Sequence, residues 1–160
     1  MIRTYRAADR TALLDITIRA FDGVSVDQNI EALYGRINGV GWQERKTRHI
    51  EADIAANPNG IFVSELDGAV VGYVTCRFDP STRIGWIPNL AVDPRHQSRG
   101  IGKQLMEAAL SYLRSLGMRC VRIETLEQNE RCMALYPKLG FREIARQVHY
   151  IMPFDSTADE

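Results

Sequence analysis

The chain has 160 residues, which favours a single domain, and its 45% hydrophobic and 25% charged residues are typical of a globular protein. Its formal net charge of zero at pH 7 argues against a general nucleic-acid binder, which usually carries a clear basic excess. No run of residues approaches the roughly 18 apolar residues of a membrane span, and the N-terminus lacks the apolar stretch of a signal peptide. We therefore expect one domain over residues 1–154, followed by a disordered acidic tail at 155–160.

The N-terminal third of the chain is predicted to contain one strand and three helices. Residues 2–6 alternate as in a short strand, and Asp9 is a candidate N-cap for a helix over 10–20. Residues 27–36 and 43–56 have the character of two further helices. The last of these is polar on most of its surface, which predicts an exposed helix.

Three strands follow, and we predict that they form an antiparallel meander. A breaker at 57–60 precedes a strand over 61–66, and Asp67-Gly68 is a two-residue hairpin turn. The other two strands span residues 69–78 and 83–92.

The C-terminal half returns to helical spacing. Apolar residues recur from Ile101 to Leu116, where Gly117 can end the helix. The remaining predicted elements are a strand over 120–126, a helix over 129–139 and a strand or strand pair over 141–154. This order of elements predicts a mixed α/β domain with helices packed on a central sheet.

The three cysteines, Cys76, Cys120 and Cys132, form no CxxC pair, and an odd number does not suit a disulfide framework. We expect them to be reduced, mostly buried thiols. We accordingly expect a cytoplasmic protein with no metal site.

The stretch RHQSRGIGKQ, residues 95–104, separates the third meander strand from the next helix. Dinucleotide-binding and P-loop motifs are excluded, because neither G-x-G-x-x-G nor G-x-x-x-x-G-K-[ST] occurs. Gly100 and Gly102 could simply let the backbone turn, although each costs up to about 1 kcal/mol relative to alanine in a helix. Alternatively, they clear a helix N-terminus whose free N–H groups bind an anion such as a pyrophosphate. The donor side chains around that N-terminus are Gln97, Arg99 and Lys103.

Two segments of the chain carry more specific patterns. The pattern [QR]-x-x-G-x-[GA] is matched by Gln97, Gly100 and Gly102. It follows a strand that ends in L-A-V-D-P at residues 90–94. A second pattern, N-x-x-A-x-x-L-Y-x-x-L-G-F, aligns with residues 129–141, where Cys132 replaces the alanine. Together these segments resemble the acetyl-CoA motifs of the GNAT family of N-acetyltransferases.

The resemblance implies a mixed, mostly antiparallel central sheet, splayed at a bulge in its fourth strand, with helices on both faces. It implies direct transfer of an acetyl group from acetyl-CoA, a cosubstrate, to a primary amine of a small molecule or a peptide. The alternative is a non-catalytic acyl-CoA-binding or regulatory module on the same fold. We expect no nucleic-acid or membrane partner, and a monomer or homodimer.

The resemblance also implies where acetyl-CoA binds. The pyrophosphate would lie at the helix N-terminus after the glycine loop, and the pantetheine arm would lie beside the strand at 90–92. Pro88 supports a bulge at Pro88–Asn89 independently, because proline cannot donate to a strand ladder. The alternative is that Pro88 only ends the strand early. The residues predicted to bind the cosubstrate are Leu90, Ala91, Val92, Gln97, Ser98, Arg99, Gly100, Ile101, Gly102, Lys103, Asn129 and Tyr136.

Three groups are candidates for the chemistry. The Leu90 N–H, freed at the bulge, is a donor for the thioester oxygen. Tyr136 occupies the family's tyrosine position and would chiefly hydrogen-bond the leaving thiolate, since its ordinary pKa of about 10 exceeds that of a thiol, about 8.5. Many members carry a glutamate where this chain has Trp86, whereas the ribosomal-protein N-terminal alanine acetyltransferases carry one in the strand before the tyrosine helix. Glu124 matches that second position and is the candidate base, directly or through water. An exposed glutamate without a role is the alternative.

Residues 21–50 are expected to form a wall of the acceptor site. The aromatic candidates for that wall are Phe21, Tyr34, Trp42 and Trp86, each of which could equally belong to the core. The segment 141–154 is shorter than the hairpin that closes the peptide groove of N-terminal acetyltransferases, so a peptide acceptor is less favoured. His96 is expected beside the phosphates, and His149 is a weaker candidate base.

Overall fold

A computed structural model describes residues 1–154, so the acidic tail predicted at 155–160 lies outside the described residues. The strands are β1 (Ile2–Thr4), β2 (Ile61–Leu66), β3 (Ala69–Thr75), β4 (Arg77–Asp79), β5 (Ile84–Ile87), β6 (Leu90–Val92) and β7 (Cys120–Ile123). The α-helices are α1 (Arg10–Ala20), α2 (Val26–Tyr34), α3 (Trp42–Ala56), α4 (Ile101–Ser115) and α5 (Glu130–Lys138). The predicted mixed α/β class is confirmed. Within residues 1–154, no helix has the length and apolar character needed to cross a membrane.

The strands form two sheets. An antiparallel sheet has the strand order β1-β2-β3-β6, and a second sheet has the order β4-β5-β7, in which β5 and β7 are parallel. The chain passes from the first sheet to the second between β3 and β4, and returns between β5 and β6. Because β7 pairs with β5 and β6 pairs with β3, the two sheets separate between β6 and the end of β7.

The return between the sheets falls at Pro88–Asn89. Residues 75–76 lie opposite residues 87–89, between the last pair of β4 with β5 and the first pair of β3 with β6. Proline has no N–H with which to continue the ladder, so a break at this position has a direct chemical cause. The strand is thus interrupted at the predicted residues, while a regular β-bulge there stays a prediction.

Helices cover both faces of the four-stranded sheet. Alternation along β2 directs Ile61 and Val63 to the face covered by α1 and α3, and Phe62 to the face covered by α4. The helical residues that complete the two cores are Leu13, Ile16 and Ile50 on one face, and Leu105, Met106, Ala109 and Leu113 on the other. The second sheet continues over α4, where a Cβ added at Gly85 would lie 3.0 Å from the Leu113 side chain.

The strand or strand pair predicted over residues 141–154 is not formed. No helix or strand follows Gly140 within the described chain, and the apolar residues that suggested the strand are exposed. They are Ile144, Val148, Tyr150, Met152 and Phe154. An alternating pattern produces a strand only where a neighbouring strand accepts its hydrogen bonds, and the outer edge of β7 is not paired with this segment.

Two local expectations also need correction. Asp9 directly precedes α1, but its carboxylate accepts from the Arg6 N–H and the Arg3 guanidinium instead of capping helix amides. The helix α3 is not simply exposed. One of its faces carries the buried residues Trp42, Ile50 and Asp53.

Candidate active site

The site begins along the outer edge of β6, at the gap between the two sheets. At the ends of β6, the Asn89 C=O accepts a hydrogen bond from β3 and the Asp93 N–H donates one to β3, each of 2.9 Å. Bonding alternates along an antiparallel strand, so the N–H groups of Leu90 and Val92 point away from β3 and into the gap. The same alternation turns the polar groups of Ala91 to β3. Leu90 therefore offers its N–H and C=O to an extended ligand. Val92 offers its N–H, since its C=O accepts from Gln97, and Ala91 offers neither group.

The loop before α4 has left-handed backbone conformations. Ser98 has a φ of 63° and Gly100, the N-cap, has a φ of 79°, which favours glycine at the second position. A Cβ added at Gly102 would lie 3.7 Å from Leu135 Cδ2 and 3.9 Å from Val92 Cγ2, which are ordinary contact distances. Packing therefore does not demand glycine at position 102. Its missing side chain keeps the helix N-terminus open.

The first turn of α4 presents unused donors. The Gln104 N–H bonds to the Gly100 C=O at 3.1 Å, so the N–H groups of residues 101–103 precede the first intrahelical bond. The first turn contains no acidic residue. Lys103 is exposed and lies 3.8 Å from Glu107, a weak surface pair that leaves its ammonium available. Together with the helix dipole, this N-terminus suits a phosphate-type anion.

Asp93 fixes the loop between β6 and α4. Its buried carboxylate accepts from the Arg95 N–H at 3.0 Å, from the Arg95 guanidinium at 2.8 and 3.0 Å, and from the Arg19 guanidinium at 2.9 and 3.1 Å. These bonds, first those of Arg95, hold the pKa of Asp93 well below its usual range. The Gln97 Nε2 donates to the Val92 C=O at 2.9 Å. Gln97 thus ties the glycine loop to β6.

The helix α5 carries the predicted tyrosine. Its N-cap is Asn129, whose Oδ1 accepts from the Cys132 N–H at 3.3 Å. Tyr136 packs against the α4 core, with its ring centroid 5.9 Å from that of Phe141. Burial, reinforced by the Cys132 thiol, raises the pKa of Tyr136 above its ordinary value. Its hydroxyl stays protonated at neutral pH and can donate. Pro137 is the penultimate residue of α5, so it lies where the helix ends and does not kink its middle.

Glu124 lies on the other side of the gap. In the parallel pairing of β5 with β7, Ile87 is opposite Ile123, so Glu124 follows at the level of Pro88. Ile123 packs on the α4 core, and alternation directs Glu124 to the opposite face. Its side chain is exposed. The backbone therefore places this candidate base beside the strand break, on the face away from α4.

The remaining candidates differ in their surroundings. Trp86 has the Arg122 guanidinium 4.8 Å and the Arg77 guanidinium 5.9 Å from its ring centroid. The other candidates are Trp42, which is buried, Tyr34, which is 44% exposed, and His149, which is exposed in the C-terminal segment. The buried Nδ1 of His96 has no hydrogen-bond partner within residues 1–154.

A buried polar network under the break was missed by the sequence analysis. The Asn89 Nδ2 donates to Asp53 at 2.7 Å, and the Arg77 guanidinium donates to the other Asp53 oxygen at 2.8 Å. Lys46 Nζ donates to the Asn89 Oδ1 at 2.9 Å and lies 3.9 Å from the Phe21 ring centroid. Burial lowers the pKa of Lys46. A spacing signal for this face existed in the sequence, since one helical stripe contains Trp42, Lys46, Ile50 and Asp53.

Comparison with known proteins agrees with this arrangement. The family model described as "Acetyltransferase (GNAT) family" matches residues 28–141. A mycothiol acetyltransferase of Thermomonospora curvata is 30% identical in an alignment of 147 positions, which covers 86% of this chain and 48% of that protein. This chain spans about half the length of the curated relatives it matches.

Solved structures share the fold at lower identity. The protein PH1933 of Pyrococcus horikoshii superposes with a TM-score of 0.71 at 21% identity, covering 92% of both chains. A PaiA N-acetyltransferase of Thermoplasma acidophilum in complex with coenzyme A gives a TM-score of 0.71 at 18% identity, covering 89% of both chains. The splayed sheets, the open α4 N-terminus and the family match lead to one conclusion: this chain belongs to the acetyltransferase (GNAT) family.

Proposed function

We propose that this protein transfers an acetyl group from acetyl-CoA to a primary amine. The observation that carries the proposal is the register of β6, which directs the Leu90 N–H into the gap between the sheets. That donor lies on the strand that precedes the open N-terminus of α4, where a Cβ on Gly102 would lie 3.7 Å from Leu135 of α5, the helix that bears Tyr136. A hydrogen-bond donor aimed at an acyl oxygen is the main electrostatic requirement of acyl transfer.

The residues present fit acetyl-CoA. The N–H groups of residues 101–103 form the pyrophosphate site, with Gly100 at the N-cap and Ser98, Arg99 and Lys103 around it. Gln97 holds that loop in place, and Ile101, whose side chain is buried, anchors the first turn of α4 in the core. The pantetheine arm follows β6 at 90–92, using the groups of Leu90 and Val92, while Asn129 fixes the start of α5.

The chemistry divides among three groups of this chain. Bound acetyl-CoA supplies a thioester whose C–S bond breaks as the amine nitrogen bonds to the acyl carbon. Leu90 donates its N–H to the carbonyl oxygen as negative charge develops there. Tyr136, kept protonated by its raised pKa, donates to the departing sulfur. Glu124 accepts the proton that the amine loses, directly or through a water molecule.

The amine belongs to a small molecule or to a peptide. The C-terminal segment forms no hairpin within the described residues, which favours a small acceptor over a peptide held in a closed groove. The relatives named mycothiol acetyltransferase suggest deacetylated mycothiol as one member of a test panel. We expect a monomer or homodimer in a reducing cytoplasm, consistent with three free cysteines.

Two assays, carried out one after the other, test the proposal. Saturating CoA at about 100 times its Kd should stabilise the protein by about 2.7 kcal/mol in thermal unfolding. Release of free thiol from acetyl-CoA is then measured with small amines, amino sugars and N-terminal peptides. Absence of stabilisation by CoA would overturn the proposed cosubstrate.

A non-catalytic acyl-CoA-binding module is the second candidate. It is favoured by one feature of the sequence: Trp86 occupies the position at which the family resemblance implies a glutamate in many members. Stabilisation by CoA without thiol release on any amine would support this candidate and contradict catalysis.

A further inference from the structure

Lys46 has surroundings that differ from those of the other lysines. It is one of three lysines in the chain, and the other two, Lys103 and Lys138, are exposed. The Lys46 amine is held between a neutral amide oxygen, that of Asn89, and the face of the Phe21 ring. These contacts give the Lys46 amine one good hydrogen-bond acceptor, whereas a charged ammonium has three N–H donors to satisfy.

Burial favours the neutral amine, whereas the face of the Phe21 ring favours the charged form through a cation–π contact. Burial lowers the pKa of Lys46, and it outweighs the nearby carboxylates of Asp27 on α2 and Asp53 on α3, which favour the charged form. Asp53 is itself engaged by the Arg77 guanidinium at 2.7 and 2.8 Å, which reduces its pull on Lys46. A neutral lysine amine is a nucleophile, whereas an ammonium is not.

The position of Lys46 relative to the gap follows from the register of β6. Leu90 and Val92 pack on the α4 core, whereas Ala91 packs on the α1 and α3 core and Asn89 bonds to α3. An acyl group that enters from the α4 side and reaches the Leu90 N–H therefore meets the α3 side next. Lys46 is the amine on that side, and its partner Asn89 directly precedes Leu90.

We infer that Lys46 is an internal acceptor, acetylated at Nζ by the acetyl-CoA bound in the same molecule. The inference rests on the proposed function. Lys46 Nζ bonds to the acyl carbon, the C–S bond breaks, and CoA leaves as the thiol with the proton that the amine loses. The product is an uncharged amide that remains on the acceptor side of the gap. An external amine at saturating concentration should therefore compete with the modification, and acetylated protein should turn over external amines more slowly.

The test uses the full chain, acetyl-CoA and no added amine. Intact mass spectrometry follows the gain of one acetyl group, and peptide mapping compares Lys46 with the two exposed lysines and the N-terminal amine. We expect Lys46 to be modified at least about tenfold faster than Lys138, because reaction within one complex gains effective concentration. The first-order rate constant should not change when the protein is diluted at constant acetyl-CoA.

Matched variants separate transfer within the site from general chemical acetylation. Lys46→Arg should lose the fast modification and keep its thermal stabilisation by CoA, whereas Lys138→Arg should keep the fast modification. Equal acetylation of all three lysines, or a fast phase that survives in Lys46→Arg, overturns the inference. Failure of CoA to stabilise the protein overturns the proposed function instead. Thiol release on external amines, combined with a Lys46 that stays unmodified in acetyl-CoA without added amine, overturns the inference alone.

Discussion

The two sheets of this protein differ in how completely helices enclose them. The four-stranded sheet is covered on both faces, and its residues Ile61, Val63 and Tyr73 are fully buried. The three-stranded sheet rests on α4 on one face and carries the exposed side chains of Ile84 and Phe78 elsewhere. The difference indicates that stability and the proposed chemistry depend on different parts of the two sheets. The first sheet supplies stability, and its edge towards the second supplies the proposed chemistry.

Truncation of one isoleucine in each sheet should give the largest contrast in stability between the two sheets. Ile61→Ala should lower the free energy of unfolding by about 3 kcal/mol, because Ile61 is 0% exposed and leaves a cavity. Ile84→Ala, at a position 42% exposed, should change it by less than about 0.5 kcal/mol. Urea unfolding of both variants measures the contrast. Similar losses would show that the two sheets contribute equally to stability.

Tyr136→Phe should affect activity while leaving both sheets intact. The variant loses the proposed donor for the departing sulfur, so we expect kcat to fall about 100-fold with little change in CoA affinity. Because burial raises the pKa of Tyr136, its ionisation should not appear in the pH–rate profile of the wild type between pH 6 and about 9. Steady-state thiol release gives kcat, and calorimetric titration with CoA gives the affinity. An unchanged kcat would remove Tyr136 from the mechanism.

Asp93→Asn should destabilise the connection between the edge of the four-stranded sheet and α4. We expect a loss of about 2 kcal/mol, less than for a fully buried pair, because both arginines reach solvent. The folded-state pKa of Asp93 is depressed, so its contribution is present above the ordinary carboxyl pKa of about 3.9 and is lost as pH falls below it. Unfolding measured from pH 7 to pH 3 should therefore show the wild type approaching the variant in stability. A constant difference across this range would contradict the assignment.

Gly102→Ala should raise the stability of the free protein and lower its affinity for CoA. Alanine is favoured in helices by up to about 1 kcal/mol, and its Cβ finds ordinary contact distances at this position. The same Cβ occupies space at the α4 N-terminus, so we expect CoA affinity to fall about tenfold, or about 1.4 kcal/mol. Thermal unfolding without CoA and titration with CoA measure the two effects. Unchanged affinity would mean that the pyrophosphate does not approach Gly102.

The sequence predicted the elements whose signals are local. The strand ending at Val92 and Gly100, whose φ is positive, mark the α4 N-terminus through the local backbone, and Gly102 marks it through its missing side chain. Pro88 marks the strand break for the same reason, because its missing N–H is a property of one residue. Family membership then followed from motifs placed on these elements.

Features that depend on distant neighbours were not predictable in the same way. The surroundings of Lys46 come from Asn89 and Phe21, which lie far from it in sequence and meet it only after α1 and α3 cover the sheet. For residues 141–154, the local pattern predicted a strand that the structure does not form. The alternating residues predict a strand, but pairing requires an edge that the local pattern does not specify.

The three residues of β6 also report on the gap through amide hydrogen exchange. The Ala91 N–H lies in the ladder with β3, whereas the Leu90 N–H points outwards, so neighbouring amides sample opposite sides of one strand. In the free protein, Leu90 should exchange with solvent deuterium much faster than Ala91. Addition of acetyl-CoA should slow the exchange of the Leu90 amide and leave that of the Ala91 amide nearly unchanged. The Ala91 amide then serves as the internal reference for ligand binding measured at Leu90.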